Sequence, residues 1–321
     1  MLIVMQDNPD PDAIAGAVAL RKLVNARSEI RCSLTHGGTV GRGENRALVK
    51  YLNLNLLPIE TVAFDRFDIM AMIDAQPGAG NQSLPAGRCP DIVIDHHPFR
   101  KVTRQAAFTD VRRDYGSAST IMYEYLVHAG IEIDVPLATA LLYGIRSDTQ
   151  DLGREAIAPD IEAFERLYPM VNKRMLSAIQ RGSVPRDYFN MLSLALRNAR
   201  QYGPAMVTNL GRIDNADMIS EVADLFLREE QTTWTLCMGF VNNRMVLSVR
   251  SCADNARAEQ VMKRTIARRG TGGGHLSYAG GQIPLKKETK AEEAELARAI
   301  RQKFLKVLGI PENGGDRLVQ K

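Results

Sequence analysis

Through roughly the first 150 residues, short apolar runs alternate with longer stretches whose apolar positions return every three to four residues. That is the pattern of strands each followed by a helix, and it predicts a mostly parallel sheet flanked by helices. Residues 1–5, 30–34, 67–73, 92–94 and 141–145 read as strands. Residues 13–25, with Ile14, Val18, Leu20, Leu23 and Val24 on one stripe, read as a helix. Ser117 is expected to cap the helix that opens near Tyr115-Gly116. Residues 159–201 read as two helices parted near Gly182-Ser183-Val184-Pro185. Beyond them the alternation resumes with a strand at 206–210, a helix at 218–227 and strands at 234–241 and 245–250 joined by a hairpin turn at Asn242-Asn243. A basic helix at 258–269, a glycine-rich loop, a short strand and a last helix at 291–307 complete the pattern. The division it implies is a first domain over 1–158, a helical connector over 159–202, a smaller α/β domain over 203–310 and a tail over 311–321.

Several apolar runs end in acids. The first leads into Gln6-Asp7-Asn8-Pro9-Asp10-Pro11-Asp12, the run at 67–73 ends at Asp74, the run at 92–94 ends at Asp95-His96-His97-Pro98, and the run at 141–145 leads to Asp148. Ligands of open α/β sheets gather beyond the C-terminal ends of the strands. A lone Asp after a strand is commonly a helix cap or a turn residue, but acids recurring at four such ends point to one site. Carboxylates with imidazole and no thiolate suit Mn²⁺ first and Mg²⁺ second. Two such ions side by side form the clamp used in phosphoester displacement. The helix opening after Asp12 would add a terminus favourable to phosphate.

With 321 residues and 45% hydrophobic content the chain can bury two cores. The net charge of +4 is a mild basic excess that accommodates anionic ligands. Arg264, Arg268 and Arg269 read as a solvated helix face, Arg250 less so. Cys32, Cys89, Cys237 and Cys252 form no CxxC pair, which argues against a structural zinc and against a disulfide framework. No apolar run approaches a membrane span, and the opening residues lack a basic flank and turn polar at Gln6. A cytoplasmic protein with no membrane partner is expected.

Taken together, Pro9-Asp10-Pro11-Asp12-Ala13, Asp74, Asp95-His96-His97-Pro98 and Ser147-Asp148-Thr149 resemble, in order and spacing, the four motifs of the DHH phosphoesterases. Gly272-Gly273-Gly274-His275 followed by Ala279-Gly280-Gly281 resembles the signature of the DHHA1 domain that accompanies them. The resemblance runs from the first residues to about Leu285 and is similar to the nanoRNase and phosphoadenosine-phosphate phosphatase branch. It implies a DHH catalytic domain and a DHHA1 substrate-binding domain with the active site in the cleft between them. It implies two Mn²⁺ ions, or Mg²⁺ in their place, bridged by Asp74, with Asp10 serving the first and Asp12, His96 and Asp148 the second. His97 then orients the phosphate or protonates the leaving group, and Asp95 orients an imidazole. By the same resemblance His275, Gly273, Gly274 and Arg250 are assigned to the far end of the substrate; the 36–45 loop reads either as a mobile connection between strand and helix or as a lid carrying Arg42 or His36.

One position departs from the pattern. Where the family carries a histidine ligand for the first ion, this chain has Gln6. An amide oxygen is a neutral, weaker ligand, and Asp7 or His36 is a candidate replacement. Leu276 stands where the family often has a basic residue. The function implied is metal-dependent hydrolysis of linear dinucleotides or very short oligoribonucleotides. Rival substrates are 3′-phosphoadenosine 5′-phosphate, cyclic dinucleotides and polyphosphate, and a rival class is a nucleotide-binding regulator that has lost hydrolysis. A short nucleotide is the expected partner, stable binding of nucleic-acid duplexes is not expected, and a homodimer is compatible with the pattern.

Overall fold

Six parallel strands, β1 (Leu2–Val4), β2 (Ser33–His36), β3 (Leu56–Pro58), β4 (Met70–Ile73), β5 (Ile92–Asp95) and β6 (Phe108–Val111), pair in the order β3-β2-β1-β4-β5-β6. The chain builds outward from β1 to β3 and then returns to lay β4 on the other side of β1. At this reversal the connections leave in opposite directions and open a crevice beyond the strand ends. Asp10 follows β1 and Asp74 follows β4, so the switch point is where the acids meet. This is the first of two compact units, Met1–Ser183 and Val184–Lys321, in a computed structural model that describes every residue except Glu288 and Lys321.

The strand period of two sorts the side chains onto the two faces. Ile3, Met5, Ala71, Ile73 and Ile94 share a core with Ile14, Ile121 and Leu141, from α1 (Pro11–Arg27), α3 (Ala118–His128) and α4 (Val135–Thr149). Leu2, Val4, Met70, Met72 and Val93 form a smaller core beneath Phe64, Phe67 and Leu84, so loops and short 3₁₀ turns cover that face.

Two elements of this unit differ from the sequence expectation. Residues 141–145 are not a strand but the buried middle of α4, which Asp134 caps by accepting the Leu137 amide at 3.0 Å, with Pro136 in the first turn. Leu137 through Ile145 are buried without interruption. A helix buried all round shows no 3.6-residue stripe and reads like a buried strand. The strand expected at 30–34 lies at Ser33–His36, and Ile30 is exposed. His36 therefore ends the strand, where the pleat turns its ring inward.

The expected connector does not stand alone. α5 (Ala158–Leu167) and α6 (Lys173–Gln180) bury Ala163, Leu167, Leu176 and Ile179 in the core of the first unit, whereas α7 (Arg186–Asn198) and β7 (Arg200–Tyr202) belong to the second. The division falls at the Gly182-Ser183-Val184-Pro185 break rather than at 158.

The second unit is a seven-stranded mixed sheet. Its chain order is β7, β8 (Ala205–Arg212), β9 (Trp234–Val241), β10 (Arg244–Ser251), β11 (Thr271–Gly274), β12 (Tyr278–Pro284) and β13 (Asp316–Arg317), and its spatial order is β11-β12-β10-β9-β8-β7-β13. The β9–β10 hairpin turns at Asn242 and Asn243 with φ of 43° and 61°, the two positive values such a turn requires. α7 and α8 (Asp217–Phe226) pack on one face, and α9 (Ala258–Ile266) and α10 (Lys290–Leu308) on the other. The stretch expected to be a tail contributes β13, which pairs with β7. Its last residue lies outside the described residues.

Thr271–Gly274 is likewise an edge strand rather than a loop. A Cβ on Gly272 would lie 2.8 Å from Ile266 and 3.0 Å from Met262, so this glycine lets α9 close on the sheet. Among the described residues no helix is long and apolar enough to cross a membrane.

Candidate metal centre

Everything at the switch point turns around the ring of His96. Its Nδ1 lies 3.1 Å from the Tyr115 carbonyl oxygen, which can only accept, so Nδ1–H donates and Nε2 faces the acids. Nε2 is 3.3 Å from Asp74 Oδ1, 3.3 Å from Asp148 Oδ2 and 3.8 Å from Asp12 Oδ2. Asp12, Asp74 and His96 are buried. Two overlapping groups have ligand atoms within 4.8 Å of one another: Asp12, His96 and Asp148, and Asp74, His96 and His97. Asp148 reaches this point from the last turn of α4, not from a strand end.

Each acid is held by a different element. Asp12 Oδ2 and Oδ1 accept the Ala118 and Ser119 amides, at 2.6 and 2.7 Å, in the first turn of α3. Ser117 caps that helix as expected, accepting the Thr120 amide at 3.1 Å. Asp74 sits at φ 54°, a conformation Asp tolerates better than most residues, and this left-handed kink ends β4. Asp10 caps α1, accepting the Ala13 amide at 3.0 Å. The helix termini are thus satisfied by the site's own carboxylates, and the α1 terminus expected to favour phosphate is occupied by Asp10.

Close approach of helices completes the packing. A Cβ on Gly144 of α4 would lie 2.2 Å from Ser119 Oγ and 3.1 Å from Asp12 Oδ1. Only glycine lets α4 pass this near to the acid.

The carboxylates are strongly perturbed. Burial, with Asp148 and Asp12 nearby, pushes Asp10 up to about 7. Burial and Asp148 push Asp12 up to about 6. Asp74 is driven well above the carboxylate range by burial and by Asp12 and Asp10. Burial works against a charged His96, but its contacts with Asp148 and Asp74 prevail and raise it well above an ordinary imidazole. Burial also opposes ionisation of Asp148, and the bond to His96 outweighs it, leaving Asp148 low. A crowd of acids held partly protonated by burial and then by one another is the electrostatic condition that a divalent cation relieves. Asp12, Asp74, His96 and Asp148 offer carboxylate oxygens and one imidazole nitrogen around one point, a donor set that fits Mn²⁺ or Mg²⁺.

The second histidine is oriented apart. His97 Nδ1–H donates to Asp95 Oδ1 at 2.8 Å, and the two imidazole centroids are 4.5 Å apart. Burial raises the cost of the Asp95 charge, yet His97, His96 and Gln76 hold it at about 2.

Three supporting residues escaped the sequence reading. Gln76 donates to Asp95 Oδ2 at 2.6 Å and accepts from the Arg100 amide and Thr103 hydroxyl at 2.8 and 3.0 Å, which clamps the loop carrying the histidines. Arg154 donates to the Asp148 carbonyl at 2.7 Å and brings a positive charge beside it. Asp160 accepts the Gly116 amide at 2.9 Å and the Thr120 hydroxyl at 2.5 Å, fixing the start of α3. None lies in a motif: Gln76 and Asp160 act across 19 and 44 residues, and Arg154 reaches back six residues to a carbonyl rather than presenting a ligand.

The first-ion position is built differently from its expected form. Gln6 Nε2 donates to Asp10 Oδ2 at 2.7 Å and to Asp74 Oδ2 at 3.3 Å, while Gln6 Oε1 accepts from Asn81 Nδ2 at 3.0 Å. The replacements considered for it are engaged elsewhere. Asp7 accepts from Ser83 Oγ at 2.8 Å, and the buried His36 donates through Nδ1 to the Gly37 carbonyl at 2.9 Å. Neither belongs to the two ligand groups.

In the second unit, Tyr278 joins two of the residues assigned to substrate. His275 stacks on it with centroids 4.6 Å apart, and the Arg250 guanidinium lies 5.5 Å from its ring centroid. Arg250 Nε also donates to Asp224 at 2.6 Å. Gly273 and Gly274 are in β11, two residues and one residue before His275. In the first unit Arg42 precedes α2 (Gly43–Tyr51) and lies 3.8 Å from Glu44. Arg264, Arg268 and Arg269 are exposed, as expected of a solvated face, and all four cysteines are free.

Comparison with known proteins agrees with this architecture. Residues 1–145 match the N-terminal domain of the DHH family. An uncharacterized protein of Methanocaldococcus jannaschii is 33% identical over 320 residues, which cover 97% of this chain and 65% of the relative, so the chain spans about two thirds of that protein. The crystal structure of an exopolyphosphatase-related protein from Bacteroides fragilis superposes with a TM-score of 0.71 over 96% of this chain and 93% of the other, at 14% identity. At that identity the likeness is one of fold.

Proposed function

We propose, from the match of residues 1–145 to the N-terminal domain of the DHH family, that the chain is a metal-dependent phosphodiesterase that hydrolyses linear dinucleotides or very short oligoribonucleotides to mononucleotides. The observation that carries this reading is the convergence of Asp74, Asp148 and Asp12 on His96 Nε2 at 3.3, 3.3 and 3.8 Å. Without a cation this cluster repels a phosphate; with one it attracts it.

Asp12, Asp74, His96 and Asp148 are the residues that would hold the ion. A divalent cation there acidifies water and offsets charge on the phosphate. The chain's own groups do the rest. Asp95 fixes the His97 tautomer through Nδ1, which leaves His97 Nε2 to hold or pass a proton at the leaving oxygen. Gln76 keeps the Asp95 carboxylate aimed. In the second unit, His275, Tyr278 and Arg250 provide an aromatic face and a cation suited to a base or a second phosphate.

The test is turnover by the full chain with Mn²⁺, Mg²⁺ or chelator. The panel holds 5′-phosphorylated linear dinucleotides, longer RNA, 3′-phosphoadenosine 5′-phosphate, cyclic dinucleotides and polyphosphate. Linear dinucleotides should be cut fastest, and only with metal. Preference for another member would assign the same chemistry to that substrate. The Gln6 amide supports one further reading, a nucleotide-binding regulator, which tight binding with no turnover on any substrate would establish.

A further inference from the structure

We propose that the Gln6 amide takes the place of the first metal ion, so that this chain carries a single-ion centre on Asp12, Asp74, His96 and Asp148. The inference deepens the metal-dependent reading above and rests on it. Its basis is the direction of the hydrogen bonds. An amide acting as a ligand must offer its oxygen, whereas Gln6 presents N–H groups to Asp10 Oδ2 and Asp74 Oδ2 at 2.7 and 3.3 Å. The oxygen points the other way, to Asn81 Nδ2 at 3.0 Å. Turning the Gln6 amide over would set its oxygen against two carboxylate oxygens and its nitrogen against the Asn81 donor. Asn81 thereby acts as a positioning residue for Gln6.

Asp10, Asp7 and His36 all stand outside the two groups of ligand atoms that gather at His96. One Asp10 oxygen accepts the Ala13 amide as a helix cap, and the other accepts from Gln6. His97 Nδ1 is bonded to Asp95. One Asp7 oxygen accepts from Ser83, and His36 Nδ1 is bonded to the Gly37 carbonyl. A neutral donor bridging Asp10 and Asp74 does part of what a cation would do there, linking the two carboxylates, without adding its charge. The Asp74 oxygen directed at His96 stays available to the ion on the other side.

The experiment counts ions rather than turnover. Mn²⁺ is titrated into the full-length chain by calorimetry, and the bound metal is examined by electron paramagnetic resonance. The natural chain should bind one Mn²⁺ with the hyperfine pattern of an isolated ion. Gln6→His should bind two, with the signal broadened and weakened by exchange coupling. Gln6→Glu keeps the shape but adds a third carboxylate; in chelator it should melt lower than the natural chain and regain more on adding Mn²⁺. Two coupled ions in the natural chain would overturn the inference while leaving a metal-dependent hydrolase in place. One ion without turnover on any substrate would do the reverse, upholding the single-ion centre and removing the hydrolase. No bound Mn²⁺ at all would overturn both.

Discussion

His97 Nδ1 lies 2.8 Å from Asp95 Oδ1, and Gln76 holds the other Asp95 oxygen at 2.6 Å. The carboxylate is therefore fixed from both sides and in turn fixes the ring. Asp95→Asn keeps the shape but loses the charge that selects the His97 tautomer. Turnover should fall about 10- to 100-fold, the usual cost of losing an orienting partner, while bound Mn²⁺ per chain stays unchanged. Loss of the metal along with activity would mean that Asp95 acts on the ion site instead.

Asp74 and Asp148 test the centre directly. Each faces His96 Nε2 at 3.3 Å, so Asp74→Asn and Asp148→Asn should abolish both Mn²⁺ binding and hydrolysis. Asparagine is preferred at 74 because the position has φ 54°, which asparagine tolerates better than alanine does. Circular dichroism should show the native fold in both variants. Hydrolysis persisting in Asp148→Asn would exclude the cluster as the catalytic site.

The pH dependence of stability follows from the raised acids. Asp10 and Asp12 titrate near 7 and 6 in the folded chain, by burial and mutual repulsion, against about 3.9 when unfolded. A carboxyl whose folded value is raised contributes its stability fully below the unfolded value and loses it as pH rises through the folded one. His96, also raised, loses its contribution as pH climbs through its folded value. Asp95 and Asp148 are lowered and act in the opposite sense, but only below about pH 4. In chelator the chain should therefore lose stability between about pH 4 and 7, on the order of a few kcal/mol. Added Mn²⁺ should raise the melting temperature more at pH 8 than at pH 5. An equal rise at both would show that burial and the neighbouring carboxylates do not raise these acids.

Much of this centre was legible because strand chemistry is local. An apolar run followed by Asp74 or by Asp95-His96-His97 must deliver those side chains at a strand end, whatever the rest of the fold does. Asp148 joins the cluster from a helix end that the apolar run at 141–145 does not reveal, since a helix buried on every side cannot be told from a strand by periodicity. Gln6 was singled out, but which end of its amide meets the acids depends on Asn81, 75 residues away. Gln76, which meets Asp95 from 19 residues away, stays hidden for the same reason. The glycines near 272 suggested a loop, and only the closeness of α9 reveals why a strand needs them.

Gly144 gives a packing test. Its missing side chain leaves room for Ser119 Oγ, 2.2 Å from where a Cβ would stand, and for Asp12 Oδ1 at 3.1 Å. Gly144→Ala must push α4 from α3 or displace Asp12. Overpacking of this kind costs about 1–3 kcal/mol, so thermal denaturation should report a lower melting temperature, and Mn²⁺ affinity should drop with it. An unchanged affinity would show that α4 moves as a body and leaves Asp12 in place.

Substrate length should separate the roles of the two units. The proposed preference for dinucleotides predicts that longer RNA gains nothing in rate, and the substrate contact proposed for His275 predicts a binding defect when it is removed. In the proposed division His275 binds substrate and touches no ion, and its ring is held by stacking on Tyr278 with centroids 4.6 Å apart. His275→Ala should raise KM about tenfold, the worth of one good polar contact, with kcat and Mn²⁺ stoichiometry little changed. Tyr278→Leu should reproduce part of that rise by releasing the ring. Steady-state kinetics on a 5′-phosphorylated dinucleotide and on a 5′-phosphorylated longer RNA decide the matter. A kcat defect in His275→Ala at unchanged KM would place that residue in the chemistry, and a preference for the longer RNA would overturn the dinucleotide reading.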